Sequence, residues 1–206
     1  MLEMFNLIGK NMQEILIDLI RHGEPRGGPR YRGDGVDDPL SGKGWEQMWN
    51  GVSSRGGWEQ IISSPMVRCL AFSEALGRQR GIDVTVEKNF REVGFGSWEG
   101  LSKAQVQECD LKGFEDFYRD PISHRPQGAE PIHDFIAHVS HSFDKLISQY
   151  EGKHCLVVSH AGVMRAIISY VLGAGPETLY RIAVKNAGVT RIRYSGGRGI
   201  LEVLNH

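Results

Sequence analysis

The sequence lacks an excess of either charge, a disulfide framework and any long apolar run. Lysine and arginine number 24 against 25 aspartate and glutamate residues, so the formal net charge is −1 and no broad basic surface for nucleic acid or an anionic membrane is predicted. The three cysteines include no CxxC pair, which is typical of reduced thiols in the cytoplasm. No stretch has the length of a membrane span, and the first ten residues lack the basic flank and apolar run of a signal peptide. We therefore expect a soluble cytoplasmic protein whose attraction for anions is local.

Length and apolar content predict one domain with a sizeable core. The chain has 206 residues, of which 40% are hydrophobic. Residues 1–11 do not share the pattern of the rest, so we interpret them as an N-terminal extension, with Met12 as an alternative start and residues 12–206 as the domain.

Predicted strands and helices alternate along this domain. Helical stripes are expected after Ser41, after Pro65, after residue 127 and from residue 163, and the helix after Pro65 is expected to turn Val67, Leu70, Ala71 and Leu76 inward. The alternation predicts an α/β three-layer sandwich with a mostly parallel central sheet and helices on both faces. Short apolar runs predict buried strands at 14–20, 59–63, 84–87 and 155–159, and a final strand pair at 187–194 and 200–204.

Arginine, histidine and glutamate side chains follow the predicted strands. Arg21 and His22 come after the first strand, Arg68 after the second, Glu92 after the third and His160 after the fourth. Because ligands in such sheets bind beyond the carboxyl ends of the strands, we expect these side chains to face one crevice. Guanidinium groups match the oxygens of a phosphate ester, a neutral imidazole can attack phosphorus, and a carboxylic acid can protonate the leaving alkoxide. The set predicts phosphoryl transfer without a metal ion.

Four segments carry these residues in a fixed order across about Ile15 to Asn186. They are Leu19-Ile-Arg-His-Gly-Glu24, Ser63-Ser-Pro-Met-Val-Arg68, Arg91-Glu-Val-Gly-Phe-Gly-Ser-Trp-Glu-Gly100 and Val158-Ser-His-Ala-Gly-Val-Met-Arg165. Together they resemble the motifs of the histidine phosphatase superfamily, the family of cofactor-dependent phosphoglycerate mutases and related phosphatases.

The resemblance implies a phosphoglycerate mutase-like fold and a role for each matched residue. His22 would be the nucleophile that forms a phosphohistidine, and Glu92 would be the proton donor. Arg21, Arg68 and His160 would form the phosphate pocket. Neither a metal nor a cofactor is expected, and the partner would be a small-molecule phosphate ester.

The first motif departs from the family pattern after Glu24. Many members continue with a threonine and, a few residues on, an asparagine that touches the phosphate, whereas Pro25 and Gly28 stand in those places here. Arg26, Arg30 and Arg32 lie close enough in sequence to compensate, or else they are solvated loop residues.

A narrower resemblance concerns the substrate. The loop that contains Arg26, Arg30 and Arg32, together with the residues from Asp37 to Met48, looks most like the corresponding part of the α-ribazole-phosphate phosphatases of cobalamin assembly. This favours a phosphomonoesterase, with α-ribazole 5'-phosphate as one candidate substrate. The alternatives are a phosphoglycerate mutase-type transferase and a binding module that recognises phosphorylated ligands without turnover.

The remaining segments and side chains have a structural or a functional interpretation. Residues 101–130 are predicted to form a small helical lid. Trp98 either lines the active site and contacts substrate or packs beneath it. Trp45 and Trp49 are interpreted as core residues. The helical spacing of His138 and His141 opposite the apolar face favours a solvated stripe over a metal site, and the oligomeric state is left open.

Overall fold

The computed structural model describes residues 13–206, which form a six-stranded sheet between two layers of helices. The predicted extension, residues 1–11, and the alternative start at Met12 lie outside the described residues. The strand order is β3-β2-β4-β1-β5-β6. The first four strands are parallel to one another, β5 pairs antiparallel with β1, and β6 pairs antiparallel with β5. The predicted three-layer α/β fold with a mostly parallel sheet is confirmed. The strands are β1 (Ile15–Arg21), β2 (Gln60–Ser63), β3 (Val84–Val86), β4 (His154–Ser159), β5 (Val189–Ser195) and β6 (Arg198–Val203).

Six α-helices connect or follow these strands. Two of them, α3 and α4, fall in the segment 101–130, where short helical pieces were predicted. Three short 3₁₀ turns occupy residues 88–90, 96–98 and 176–181. The helices are α1 (Gly42–Ser53), α2 (Val67–Arg80), α3 (Lys103–Cys109), α4 (Leu111–Arg119), α5 (Ile132–Gln149) and α6 (Ala161–Val171).

The sheet buries both faces, because each face packs against its own pair of helices. Alternate residues of β1 point to opposite sides: Ile17 and Leu19 join the cluster with α5 and α6, whereas Ile20 joins the cluster with α1 and α2. Trp45 and Trp49 are half-buried and pack on Phe72, as the core interpretation predicted. The carboxyl ends of the four parallel strands therefore meet at one edge of the molecule.

Helix α1 begins as predicted, but the buried face of α2 differs from the prediction. Ser41 caps α1 by accepting a hydrogen bond from the Gly44 backbone N–H at 3.0 Å. In α2 only Leu76 of the predicted inward residues is buried. The prediction was wrong because Arg68 occupies the buried face of this turn, so Val67, Leu70 and Ala71 are only half-buried. The buried residues of α2 are Arg68, Cys69, Phe72, Ser73, Leu76 and Gly77.

A fully buried carboxylate, Asp18, lies in the middle of β1 and is neutralised by three donors. The Arg191 guanidinium donates to both of its oxygens at 2.7 and 2.9 Å, His154 Nε2 lies 3.0 Å away and Trp58 Nε1 2.8 Å away. Burial by itself would raise the pKa of Asp18, but the hydrogen bonds from Arg191, His154 and Trp58 outweigh it and hold the pKa well below its usual range. The network ties β1 to β4 and β5.

Replacing Asp18 with asparagine is expected to lower the free energy of unfolding at pH 7 by about 1–3 kcal/mol, because it removes the charged acceptor that Arg191, His154 and Trp58 share. The folded-state pKa is depressed, so the stabilisation is present above the unfolded carboxyl pKa of about 4 and declines as the pH falls below it. Urea unfolding of both proteins between pH 7 and pH 3 measures this. As a control, Glu74→Gln breaks an exposed pair with Arg78 and should change stability by less than about 1 kcal/mol. Equal effects of the two changes at pH 7 would contradict the argument.

Candidate active site

The structure brings His22, Arg21, Arg68, Glu92 and His160 to the carboxyl edge of the parallel sheet. His22 directly follows β1, and its backbone N–H donates to the Ser159 carbonyl at 2.9 Å. His160 directly follows β4, which is the neighbour of β1. The two imidazole rings lie edge to face with their centroids 5.2 Å apart. Adjacent parallel strands therefore place the two histidines side by side.

His22 is held as a neutral imidazole with one free nitrogen. Its Nδ1 lies 2.7 Å from the carbonyl oxygen of Gly23, and because a carbonyl only accepts, Nδ1 carries the proton in the neutral ring. Burial lowers the pKa of His22 well below its usual value, and the positive charges of Arg68 and Arg21 lower it further. The side chain is 5% exposed. Nε2 thus keeps its lone pair at neutral and mildly acidic pH.

The glycine after His22 permits a close approach between the first motif and α1. A Cβ atom at Gly23 would lie 2.2 Å from the Gly44 carbonyl oxygen, and a Cβ at Gly44 would lie 2.1 Å from the Glu24 carbonyl oxygen. Neither position can therefore hold a side chain. The close contact between residues 23–24 and Gly44 fixes the turn on which His22 lies.

Arg21 and Arg68 each have a buried guanidinium nitrogen that no atom of residues 13–206 pairs with. Arg68 is 1% exposed and donates to the carbonyls of Val36 and Gly33 at 3.0 and 3.1 Å, while Arg21 donates to the Val184 carbonyl at 2.7 Å. The Nε atoms of both arginines are buried and have no hydrogen-bond partner within residues 13–206. Buried charged donors without partners are costly, and an anion at this site would satisfy them.

His160 is fully buried and hydrogen-bonded to a residue that sequence reasoning did not single out. Its Nε2 lies 2.7 Å from Ser64 Oγ. Burial, with the charge of Arg68, lowers the pKa of His160 well below its usual value. Ser64 belongs to the second motif, and its position directly after a predicted strand was the signal that could have identified it.

Glu92 is held by two backbone N–H groups. Its Oε1 accepts from the N–H of Val93 and of Gly162, each at 3.0 Å. Gly162 lies in the first turn of α6, two residues after His160, so the acid is tied to the second histidine motif. No ion pair links Glu92 to Arg68 among the residues that the structure describes.

Replacing Gly162 with alanine is expected to displace Glu92, because the new Cβ would lie 2.2 Å from Glu92 Oε1. A displacement of about 1 Å can cost about 100-fold in rate, and we expect kcat/KM for an alkyl phosphate to fall on that scale. For 4-nitrophenyl phosphate, whose leaving group needs no proton, the loss should be much smaller. Gly42→Ala is the matched control, since a Cβ there meets nothing within 4 Å. An equal loss with both substrates would argue against a displaced acid.

The three loop arginines are placed differently from one another. The Arg32 side chain is 9% exposed and binds Asp38 at 3.0 Å and the carbonyls of Arg26 and Gly28 at 2.6 and 2.8 Å. Arg30 donates to the Gly27 carbonyl at 2.6 Å, and Arg26 is exposed. Arg32 therefore shapes the loop, and its positive charge helps to lower the pKa of His22.

Helices α3 and α4 cover an apolar cluster and border a cavity of about 790 Å³. Trp98 is 2% exposed and packs with Val106 and Phe117 beneath these helices, which is the second of its two predicted placements. Arg125 ties the segment down by donating to Tyr180 Oη and to the Gly94 carbonyl, both at 2.7 Å. The cavity is lined by Tyr31, Phe95, Lys103, Phe117, Tyr118, Arg119, Asp120, Pro121, Ile122, Arg165, Glu177, Tyr180 and Arg181.

The histidines of α5 do not gather into a metal site. His138 Nε2 lies 2.8 Å from Glu130 Oε1, and His133 and His141 are exposed. Within residues 13–206 no three His, Cys, Asp or Glu side chains are grouped so as to hold a metal ion.

Over the same residues, no helix combines the length and apolar character needed to span a bilayer.

A comparison with protein families decides the identity of the fold. Residues 17–206 match the model of the histidine phosphatase superfamily, branch 1. The chain belongs to the histidine phosphatase superfamily.

Three proteins to which this chain is similar illustrate the range of the superfamily. A bifunctional protein of Mycobacterium tuberculosis is 31% identical over 91% of this chain and 52% of its own length, so the chain spans about half of that relative. Phosphoserine phosphatase 1 of Hydrogenobacter thermophilus is 26% identical over 91% of this chain and 90% of its own length. The crystal structure of the α-ribazole phosphatase from Shigella flexneri has a TM-score of 0.81 at 23% identity, covering 93% of this chain and 96% of that chain, which shows a shared fold.

Proposed function

We propose that this chain is a metal-independent phosphomonoesterase that hydrolyses small-molecule phosphate esters through a phosphohistidine on His22. The observation that carries the proposal is the pairing of a buried, neutral His22 with two arginines whose buried Nε atoms have no partner among residues 13–206. A phosphate ester supplies negatively charged oxygens for those donors and an electrophilic phosphorus for Nε2.

The first chemical step transfers the phosphoryl group to His22. Nε2 attacks phosphorus while Arg21, Arg68 and His160 surround the equatorial oxygens, and Glu92 gives its proton to the leaving oxygen. Guanidinium groups keep their charge at any working pH, so they can stabilise the transition state in the way that metal ions do in other phosphoryl-transfer enzymes. Water then attacks the phosphohistidine and regenerates the free enzyme.

The covalent intermediate provides the test. Rapid denaturation in alkali during turnover of a labelled ester should leave label on the protein, and mass spectrometry should place it on His22, because phosphohistidine is labile in acid and survives in alkali. Turnover should be unchanged by EDTA. Label on another residue, or activity that EDTA abolishes, would contradict the proposal.

The acid limb of the pH profile should lie below the usual pKa of histidine, about 6.5. Protonation of Nε2 ends the nucleophilic role of His22, and burial together with Arg68 and Arg21 lowers its pKa, so His22 stays neutral at a lower pH than an exposed imidazole does. We therefore expect kcat/KM for 4-nitrophenyl phosphate to fall only below the usual histidine range. In Arg68→Gln the limb should move upward, since one repelling charge is removed. A wild-type limb at or above pH 6.5 would count against this assignment.

The cavity of about 790 Å³ beside α3 and α4 is our candidate for the organic part of the ester. Its mixture of aromatic and charged walls suits a bulky leaving group, which supports α-ribazole 5'-phosphate as one substrate to test. Residues 101–130 would then act as the lid that sets preference. A panel of α-ribazole 5'-phosphate, phosphoserine and 3-phosphoglycerate, assayed with EDTA, tests this. Phosphate release shows hydrolysis, whereas transfer between positions of 3-phosphoglycerate would favour the mutase alternative, and binding without turnover would favour the binding module.

A further inference from the structure

Ser64 and His160 meet in the interior at the carboxyl edge of the sheet. Ser64 directly follows β2, His160 directly follows β4, and these two strands are parallel neighbours. The backbone N–H of Ser64 donates to the Val158 carbonyl at 3.0 Å, and Ser64 Oγ lies 2.7 Å from His160 Nε2. Ser64 and His160 are both fully buried. Because bulk water does not reach this contact, the surrounding protein decides which of the two groups donates the hydrogen.

The hydroxyl of Ser64 already accepts one hydrogen bond. The backbone N–H of Met66 donates to Ser64 Oγ at 3.3 Å, in a turn that spans Pro65. A hydroxyl has one proton to donate and two lone pairs that accept. Within residues 13–206, the other hydrogen bond of Ser64 Oγ is the one with His160 Nε2. The hydroxyl proton therefore has the Nε2 lone pair as its acceptor.

The tautomer of the neutral His160 ring follows from this pairing. If Nε2 carried the proton, it would donate to Ser64 Oγ, and the buried hydroxyl proton would be left with the sulfur of Cys69, which is a weak acceptor. If Nδ1 carries the proton instead, the hydroxyl donates to Nε2 and each polar atom of the contact is paired. The arrangement with the proton on Nδ1 is therefore the more stable one.

Nδ1 of His160 then keeps a proton that no strong acceptor of residues 13–206 takes. Its hydrogen-bonding neighbour there is the Cys69 sulfur at 3.9 Å, and that thiol donates its own proton to the Ser159 carbonyl at 3.4 Å. The ring lies beside His22, with the two centroids 5.2 Å apart, and the positive charge of Arg68 acts on it. A phosphoryl group that approaches His22 brings oxygen acceptors to this donor.

We propose that Ser64 is a positioning residue that fixes the proton of His160 on Nδ1, so that the Nδ1–H group donates to the transferring phosphoryl group. This inference rests on the proposed function and names the atom through which His160 acts. In this role Ser64 does not touch the substrate, and no proton is transferred; the hydroxyl keeps Nε2 as an acceptor while Nδ1 donates. A donor that is already oriented needs no reorganisation as negative charge grows on the phosphoryl oxygens.

Replacing Ser64 with alanine removes the donor to Nε2. The two neutral tautomers of His160 then become comparable in energy, and only part of the protein keeps the Nδ1 proton. We expect kcat/KM for 4-nitrophenyl phosphate to fall by about tenfold or more. Ser64→Thr keeps the hydroxyl and should recover most of the activity.

Ser73→Ala is the matched control for this substitution. It removes another buried hydroxyl of the same region, one that bonds Ser63 Oγ and the Cys69 carbonyl and does not contact a histidine. It should leave kcat/KM within about twofold of the wild type. An equal loss of turnover in Ser73→Ala and Ser64→Ala would show a general packing effect and would overturn the inference.

The tautomer itself is measured by ¹⁵N nuclear magnetic resonance of the His160 ring, because protonated and unprotonated imidazole nitrogens differ clearly in chemical shift. The wild type should show a protonated Nδ1 and an unprotonated Nε2. Ser64→Ala should show averaged shifts, with a thermal midpoint close to that of Ser73→Ala. A protonated Nε2 in the wild type, or normal turnover by Ser64→Ala, would overturn the inference. A wild-type protein with the expected tautomer that formed no phosphohistidine would instead refute the proposed function, and with it the role of Nδ1.

Discussion

Replacing His22 with alanine is expected to lower kcat/KM for 4-nitrophenyl phosphate by about 10⁴-fold or more and to abolish labelling of the protein. The side chain is buried among Arg21, Arg68 and His160, and its Nδ1 is committed to the Gly23 carbonyl, so only Nε2 can attack phosphorus. His160 is not expected to substitute for it, because its Nε2 is already engaged by Ser64 Oγ. Steady-state assays and phosphoenzyme trapping measure the two effects.

The control for this prediction is another histidine. His133→Ala changes an exposed residue of α5 and should leave kcat/KM within about twofold of the wild type. Because the His22 variant keeps both arginines, it should still bind inorganic phosphate. Wild-type turnover by His22→Ala would remove the phosphohistidine mechanism, and loss of phosphate binding would show that the substitution had disrupted the pocket.

Replacing Glu92 with glutamine is expected to lower kcat/KM for an alkyl phosphate by about 10²–10⁴-fold, the usual contribution of a general acid. Glutamine retains a side-chain oxygen that can accept from the N–H groups of Val93 and Gly162, so the geometry should be preserved. With 4-nitrophenyl phosphate the loss should stay below about tenfold, because nitrophenolate leaves without a proton.

The ratio of the two losses is the informative quantity for Glu92. Glu130→Gln, a carboxylate change in the same region that leaves Glu92 in place, should affect both substrates to the same small extent. If Glu92→Gln lowered kcat/KM equally for alkyl and aryl esters, Glu92 would have an electrostatic or structural role and another group would be the acid. Accumulation of phosphoenzyme from 4-nitrophenyl phosphate in this variant would additionally indicate that Glu92 accepts the proton of the attacking water in the second step.

Local patterns in the sequence predicted most of the fold. The apolar runs identified β1, β2 and β4, and Ser41 marked the start of α1. Such features depend on residues close together in the chain, whose apolar periodicity a single sequence displays directly. The buried face of α2 was mispredicted because Arg68 enters the interior, and burial of a charged side chain depends on partners from distant segments, here the carbonyls of Gly33 and Val36.

The sequence by itself determined the four motifs, their order and the chemical types that they supply: two arginines, two histidines and one carboxylate. Only the tertiary structure decided how those groups are tuned. It sets the tautomer of His22 through Gly23, buries the Nε atoms of Arg21 and Arg68 where no atom of residues 13–206 pairs with them, and ties Glu92 to the Gly162 backbone. The physical reason is that burial, hydrogen bonding and cavity shape arise where segments far apart in the chain meet. A local sequence pattern does not contain the contacts between those segments.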